Sequence, residues 1–238
     1  MGEIKAEGLI VVVAKAPQVG KVKTRLCPPL NHSQAARLYT GFLLDTVELA
    51  LQVPNAQVKV VCPSRQDAHE LQRILPQAVS YIAQQGTGLT AALSEAFEVG
   101  LALGYSKVLC ISSDNPTLPG QYLEKAFQFL ENNELVLGPT EDGGYYLIGA
   151  SQVYPFLFEG MTWSTDTVLA ETVRRAEQAE LGPRLLPGWY DLDTALELSR
   201  FVEELATAGA GAAVHTRQVL ATLPPNLLLD PTIDERVY

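Results

Sequence analysis

The sequence predicts an α/β fold of three layers, with helices on both faces of a mostly parallel, mixed sheet. Three observations carry that expectation. Residues 9–14, Leu-Ile-Val-Val-Val-Ala, form a continuous β-branched run, the pattern of a central strand covered on both faces. Strand-like runs then alternate with helix-length amphipathic segments, which implies βαβ crossovers and a mainly parallel sheet. The 238 residues, 47% hydrophobic and 18% charged, also suffice for one large core. No internal repeat, low-complexity block or linker interrupts the pattern, so a single domain is expected over residues 1–238.

The elements follow in order. After the first strand, Ser33 suits the cap of a helix running to about residue 52, with Ala35, Leu38, Phe42 and Leu49 on one face. Residues 57–62 read as a second strand, 67–75 as a helix closed by Pro76, and 79–82 as a third strand. A glycine loop at 85–88 feeds a helix over 89–103, and 107–112 is the next buried strand. Pro119 opens a helix that continues to about 131. Strands over 134–138 and 145–149 flank a glycine-rich turn. Helices over 165–179 and 194–206, with a short strand near 184–186 between them, complete the regular part. The tail from about 224 has no period and is expected to be irregular.

Charge and cysteine usage narrow the function. A formal net charge of −10 argues against nucleic acid as a partner, since proteins that bind polyphosphate backbones present a basic face. Phosphate chemistry must therefore rest on a few concentrated cations. The run 9–14 is too short to cross a bilayer and no cleavage pattern follows it, so no membrane span is expected. Cys27, Cys62 and Cys110 lie far apart, without zinc or redox spacing, and reduced thiols suit a cytoplasmic protein.

Cations and carboxylates concentrate after strands, where an open α/β sheet places its ligands. Lys15, Lys21, Lys23 and Arg25, four of 17 basic residues, fall within eleven positions after the first strand. Gly20 and Pro17 shape that loop, and Lys15, Lys23 and Arg25 can supply donors to phosphate oxygens. The plain alternative is a solvated basic loop. It is not a P-loop, because the Gly-Lys-Ser/Thr ending is missing. Asp114 follows the strand at 107–112 and is the first metal candidate, for Mg²⁺ or Mn²⁺; equally, it could cap a turn. Asp193, in Asp191-Leu192-Asp193, is the second metal candidate or else a helix N-cap; Asp191 has no such local explanation. Gly88 precedes a helix and could bind phosphate or simply turn the chain. Asp142, Gly143, Gly144 and Tyr145 combine an Asp-Gly hairpin turn with an aromatic face able to stack on a sugar or base. His32, His69 and His215 share no spacing and receive no role.

Together these segments resemble a bacterial family of glycosyltransferase-A-like proteins, the transferase 1 type associated with radical-SAM and selenium-related gene neighbourhoods. The resemblance rests on Lys15 through Leu26, Ser113-Asp114-x-Pro116-x-Leu118 and Gly138-Pro139-x-x-Asp142-Gly143-Gly144-Tyr145-Tyr146-Leu147-Ile148-Gly149, with Trp163-Ser164-Thr165 and Asp191-x-Asp193-Thr194 behind them. More distantly the chain is similar to 2-phospho-lactate and molybdenum-cofactor guanylyltransferases. The resemblance implies a nucleotide-diphospho-sugar transferase fold, Rossmann-like and of the glycosyltransferase-A kind, with the nucleotide in the amino-terminal half. It also implies that the basic loop holds the donor's phosphates, Asp114 the metal and the glycine-tyrosine turn the second substrate.

The expectation is a metal-dependent transferase with a nucleotide or nucleotide-sugar donor and a small acceptor. Lys23 and Arg25 would be catalytic, neutralising charge on the departing phosphates; Lys15, Gly20 and Gly88 would join them in binding the donor. Glycosyl transfer leads, on the family resemblance; nucleotidyl transfer, from a cationic loop suited to a triphosphate, is the first alternative, and a non-catalytic nucleotide-binding module is the second. A homo-oligomer is compatible with all three.

Overall fold

The computed structural model describes residues 7–209, 211–224 and 227, so the irregular tail expected from about residue 224 lies almost wholly outside the described residues. The chain packs as two compact units: residues up to 16, 47–113 and 118–190 form the first, and residues 17–46, 114–117 and 191 onward form the second. The long helix α1 (His32–Leu51) begins in the second unit.

The first unit is built on a seven-stranded sheet. Its strands are β1 (Gly8–Val13), β2 (Ala56–Cys62), β3 (Ser80–Ala83), β4 (Lys107–Ser112), β5 (Leu135–Pro139), β6 (Tyr145–Ala150) and β7 (Arg184–Leu185), in the spatial order β3-β2-β1-β4-β6-β5-β7. β1 lies between β2 and β4, parallel to both, with Ile10 opposite Val58 and Leu109. Leu9, Ile10, Val11 and Val12 are wholly buried, which is the physical content of the β-branched run. Only β6 runs against the others, antiparallel to both β4 and β5, so the sheet is mixed and mostly parallel, as expected. Helices α2 (Arg65–Leu71), α3 (Gly88–Ala102), α4 (Gly120–Phe129) and α5 (Val168–Gln178) connect the strands. Ala92, Leu93, Ala96 and Phe97 of α3 pack with Leu9, Val11, Val108 and Cys110 of the sheet in one core.

The second unit has its own core. Val22, Leu26, Leu30, Leu38, Phe42, Leu192, Leu198, Phe201, Leu205 and Leu220 are buried together, and Phe42 meets Phe201 edge to face at 6.2 Å. Here lie a 3-10 turn over Thr24–Leu26, the first part of α1, α6 (Ala195–Thr207) and α7 (Val214–Leu220).

Three local expectations are corrected. α1 is capped by Asn31 rather than Ser33: Gln34 N–H donates to Asn31 Oδ1 and Asn31 N–H to Gln34 Oε1, a reciprocal capping box. α5 starts three residues later than its pattern suggests, because Ser164 takes a left-handed φ of 61° and Leu169 N–H donates to Gly143 O. α7 was not anticipated at all. Among the described residues no helix is long and apolar enough to cross a membrane.

Candidate functional site

The second unit brings four of the singled-out side chains together. In the loop after β1, Val22 and Leu26 are buried, and these two anchors fix the backbone between them. Lys23 between them adopts φ 47° and ψ 40°, a left-handed conformation that non-glycine residues take rarely and that often marks a functional position. Its side chain is only 5% exposed, and Nζ stands 3.0 Å from Asp114 Oδ1 and 2.6 Å from Asp193 Oδ1. Arg25, largely exposed, reaches the other oxygen of Asp193 at 3.6 Å.

The carboxylates are positioned by their own neighbours. Wholly buried Leu192 pins Asp191 and Asp193 on either side of it, and Leu192 N–H donates to Asp114 O at 3.1 Å. Asn115, itself buried, donates Nδ2–H to Asp191 Oδ1 at 2.7 Å. Segments 114–117 and 191–193 are thus tied by a backbone and a side-chain hydrogen bond. Asp193 is not the cap of α6. Thr194 takes that position, and Glu197 Oε2 accepts from the backbone N–H groups of both Asp193 and Thr194. The Asp193 carboxylate is left to Lys23 and Arg25.

The electrostatics follow from burial and pairing. Burial alone would lower the Lys23 ammonium, but the charges of Asp114 and Asp193 outweigh it and hold the group above its ordinary range. Burial likewise acts to raise Asp193, yet Lys23 beside it draws the carboxyl below the usual carboxylate range. Asp191 goes the other way: burial first, then the charge of Asp114, push it up to about 7.

Gly20, also in the second unit, turns the basic loop at a φ of 77°, with Lys21 N–H donating to Gln18 O. The remaining predicted residues belong to the first unit. Lys15 is exposed. Gly88 opens α3 at a φ of 77°, and Gln84 Nε2 donates to its carbonyl at 3.4 Å. Asp142, Gly143 and Gly144 form the β5–β6 turn, where Asp142 Oδ1 accepts from Gly144 N–H and from Thr140 Oγ1. Gly143 has a φ of 87°, and a Cβ there would fall 2.1 Å from Asp166 O. Tyr145 turns its ring edge-on to Trp163 at 6.3 Å and joins the core of that unit. Trp163 Nε1–H in turn donates to Thr90 Oγ1 of α3. Asn115 was missed by sequence reasoning; the one signal available was its place between Asp114 and Pro116.

Among the described residues no group of three or more His, Cys, Asp or Glu side chains is arranged to hold a metal ion by itself. The donor chemistry nevertheless fits a hard divalent ion of the magnesium kind. Two carboxylates converge on a single cationic position, and such ions need only one or two when substrate phosphates and water complete the shell.

Residues 46–165 match the model of a family described as "Uncharacterized protein conserved in bacteria (DUF2064)". Among solved structures, a protein of Desulfovibrio desulfuricans G20 described as a candidate nucleotide-diphospho-sugar transferase is 29% identical, with a TM-score of 0.83 over 91% of this chain and 94% of that one. A CMP:2-keto-3-deoxy-manno-octonic acid synthetase complexed with CTP gives 0.55 at 14% identity, over 84% of this chain and 99% of that one. A cytidylyltransferase of Leptospira borgpetersenii serovar Hardjo-bovis (strain JB197) gives 0.56 at 12% identity, over 96% and 99%. A comparison with curated proteins finds no match. The architecture is the nucleotide-diphospho-sugar transferase fold.

Proposed function

The chain belongs to the bacterial family that its residues 46–165 match, and on that premise we propose that it is a metal-assisted transferase acting on a nucleotide-activated donor. The observation that carries this reading is the Lys23 ammonium, buried between the carboxylates of Asp114 and Asp193 with Arg25 on the outer oxygen. Asp114 and Asp193 would hold Mg²⁺ or Mn²⁺, which when bound polarises and partly neutralises the donor's phosphate oxygens. Lys23 and Arg25 then supply a point charge and a planar fork of donors to the same phosphates.

Nucleotidyl transfer is the reaction this arrangement favours. An oxygen of a phosphorylated acceptor attacks the α-phosphorus of a nucleoside triphosphate. The bond from that phosphorus to the bridging oxygen breaks, and pyrophosphate departs with the electron pair. Charge accumulates on the leaving pyrophosphate, and preorganised cations stabilise such charge best where water is scarce, as around Lys23. Glycosyl transfer is favoured by a different observation, the 29% identity to the candidate nucleotide-diphospho-sugar transferase. The stacking platform that would have supported it is weakened, since the Tyr145 ring is directed at Trp163.

A thermal-shift screen of nucleoside triphosphates and nucleotide-sugars, each with and without Mg²⁺, tests the reading. A ligand at 100 times its Kd should stabilise the parent by about 2.7 kcal/mol. The shift should require the metal and vanish in Asp114→Asn. A triphosphate that shifts the melt favours nucleotidyl transfer and a nucleotide-sugar favours glycosyl transfer; no shift with any of them removes the nucleotide reading.

A further inference from the structure

Lys23 stands where a divalent ion serving Asp114 and Asp193 would stand. One ammonium nitrogen is bonded to an oxygen of each carboxylate, at 3.0 and 2.6 Å. Its side chain is buried and the nitrogen lies 5.9 Å from the centre of the Phe42 ring, while both carboxylates keep a face to solvent. The left-handed backbone at Lys23, set between buried Val22 and Leu26, holds the side chain on this course. The backbone segments that carry the two carboxylates are tied to each other without the lysine, by Leu192 N–H on the Asp114 main-chain carbonyl and by Asn115 on neighbouring Asp191. Withdrawing the ammonium would therefore leave Asp114 and Asp193 side by side on a backbone that the lysine does not hold.

An oxygen-bound Mg²⁺ sits at about 2.0–2.1 Å from its ligands. A divalent ion held by Asp114 and Asp193 would have the Lys23 ammonium as a like-charged neighbour, and the two would repel. Lysine and metal would therefore compete for the carboxylate pair. Lysine is also the cation best able to leave, being a point charge on a flexible four-carbon stem.

We infer that Lys23 gates metal entry: it excludes the divalent ion from Asp114 and Asp193 in the resting protein and yields its place when a donor's phosphates draw the ammonium away. The inference rests on the metal-dependent reading above. Metal and donor then bind with positive coupling, and by linkage each tightens the other equally. Arg25, exposed and on the outer oxygen of Asp193, can meet arriving phosphates before Lys23 moves.

The test is Mn²⁺ binding to nucleotide-free protein, read from the EPR signal of the free ion. Lys23→Met keeps the length of the stem and removes its charge. It should bind Mn²⁺ about tenfold more tightly than the parent, and adding Asp114→Asn should abolish the gain. Lys23→Gln, which still hydrogen-bonds to carboxylates, takes its place in the same titration if the methionine variant does not fold. Equal affinity in parent and variant overturns the gate, and so does a variant that binds no Mn²⁺. Neither result bears on the metal-dependent nucleotide shift of the parent protein. If that shift is missing while the tenfold gain stands, the nucleotide reading falls and the competition between Lys23 and metal survives.

Discussion

Burial and neighbouring charge decide the protonation of Asp191, whose surroundings are Asn115, Asp114, Asp193 and Lys23. Removal from water is the largest cause of its rise to about 7; Asp114 adds to it, while the Asn115 hydrogen bond and Lys23 oppose it. An acid whose native pKa exceeds its unfolded value of about 3.9 is held protonated by folding. Its stabilising contribution is therefore complete below that unfolded value and is lost as pH climbs through about 7. Each unit is worth about 1.4 kcal/mol, and each kcal/mol about 2–4 °C of melting temperature in a chain of this size. Asp191→Asn keeps an acceptor for Asn115 and cannot ionise. In melts run with a chelator, it should gain at least about 5 °C on the parent between roughly pH 5 and pH 8. Parallel curves would mean that Asp191 ionises freely in the fold. The sequence set Asp191 apart for lacking a local partner, and the partner proved to be Asn115, 76 positions away.

At the scale of elements, the β5–β6 hairpin depends on one glycine. Gly143 combines a φ of 87° with a Cβ position 2.1 Å from Asp166 O, a backbone atom in the loop that opens α5. Gly20 has a comparable φ of 77° but nothing within 4 Å of its Cβ position. Alanine at 20 meets only the left-handed penalty of about 1–2 kcal/mol, whereas alanine at 143 must also displace the α5 loop. Thermal melts should show Gly20→Ala about 2–8 °C below the parent and Gly143→Ala more than about 8 °C below it. Equal losses would show that the turn relaxes away from Asp166 at little cost. The hairpin was legible in the sequence because Asp-Gly between two apolar runs is a local signal, and so were β1 to β6 on their apolar runs; β7, only exposed Arg184–Leu185, rests on no such run. α7 was not legible. Its first residue follows Ala213 at a φ of 50°, and its amino end is capped from α1, where Asp45 accepts from His215 N–H and from Thr216 N–H and Oγ1. No seven-residue window contains that cap. The ion pairs of Lys23 were half legible: the loop and both aspartates stood out, but the pairing with Asp193 spans 170 positions.

For the whole molecule, the question is how a chain of net charge −10 would hold a polyanion. A broad basic face releases counterions on binding, and proteins with several phosphate contacts to DNA lose about 10³–10⁵ in affinity between 50 and 200 mM salt. Here Lys23 and Arg25 face Asp114 and Asp193, so this cluster offers a triphosphate no net positive charge before a divalent ion arrives. The remaining field of an acidic protein repels the ligand, and added salt screens that repulsion as well as the local attraction. The two effects oppose each other. With Mg²⁺ present, the Kd of a triphosphate that shifts the melt should change by less than about threefold between roughly 50 and 200 mM KCl, as measured by calorimetry. Without Mg²⁺, binding should weaken sharply at either salt concentration, because the ion is then the missing positive charge. A steep salt dependence in the presence of Mg²⁺ would point instead to exposed cations such as Lys15 and Lys21 as the main grip on the phosphates. The buried lysine would in that case hold its carboxylates together for the fold and not for the donor.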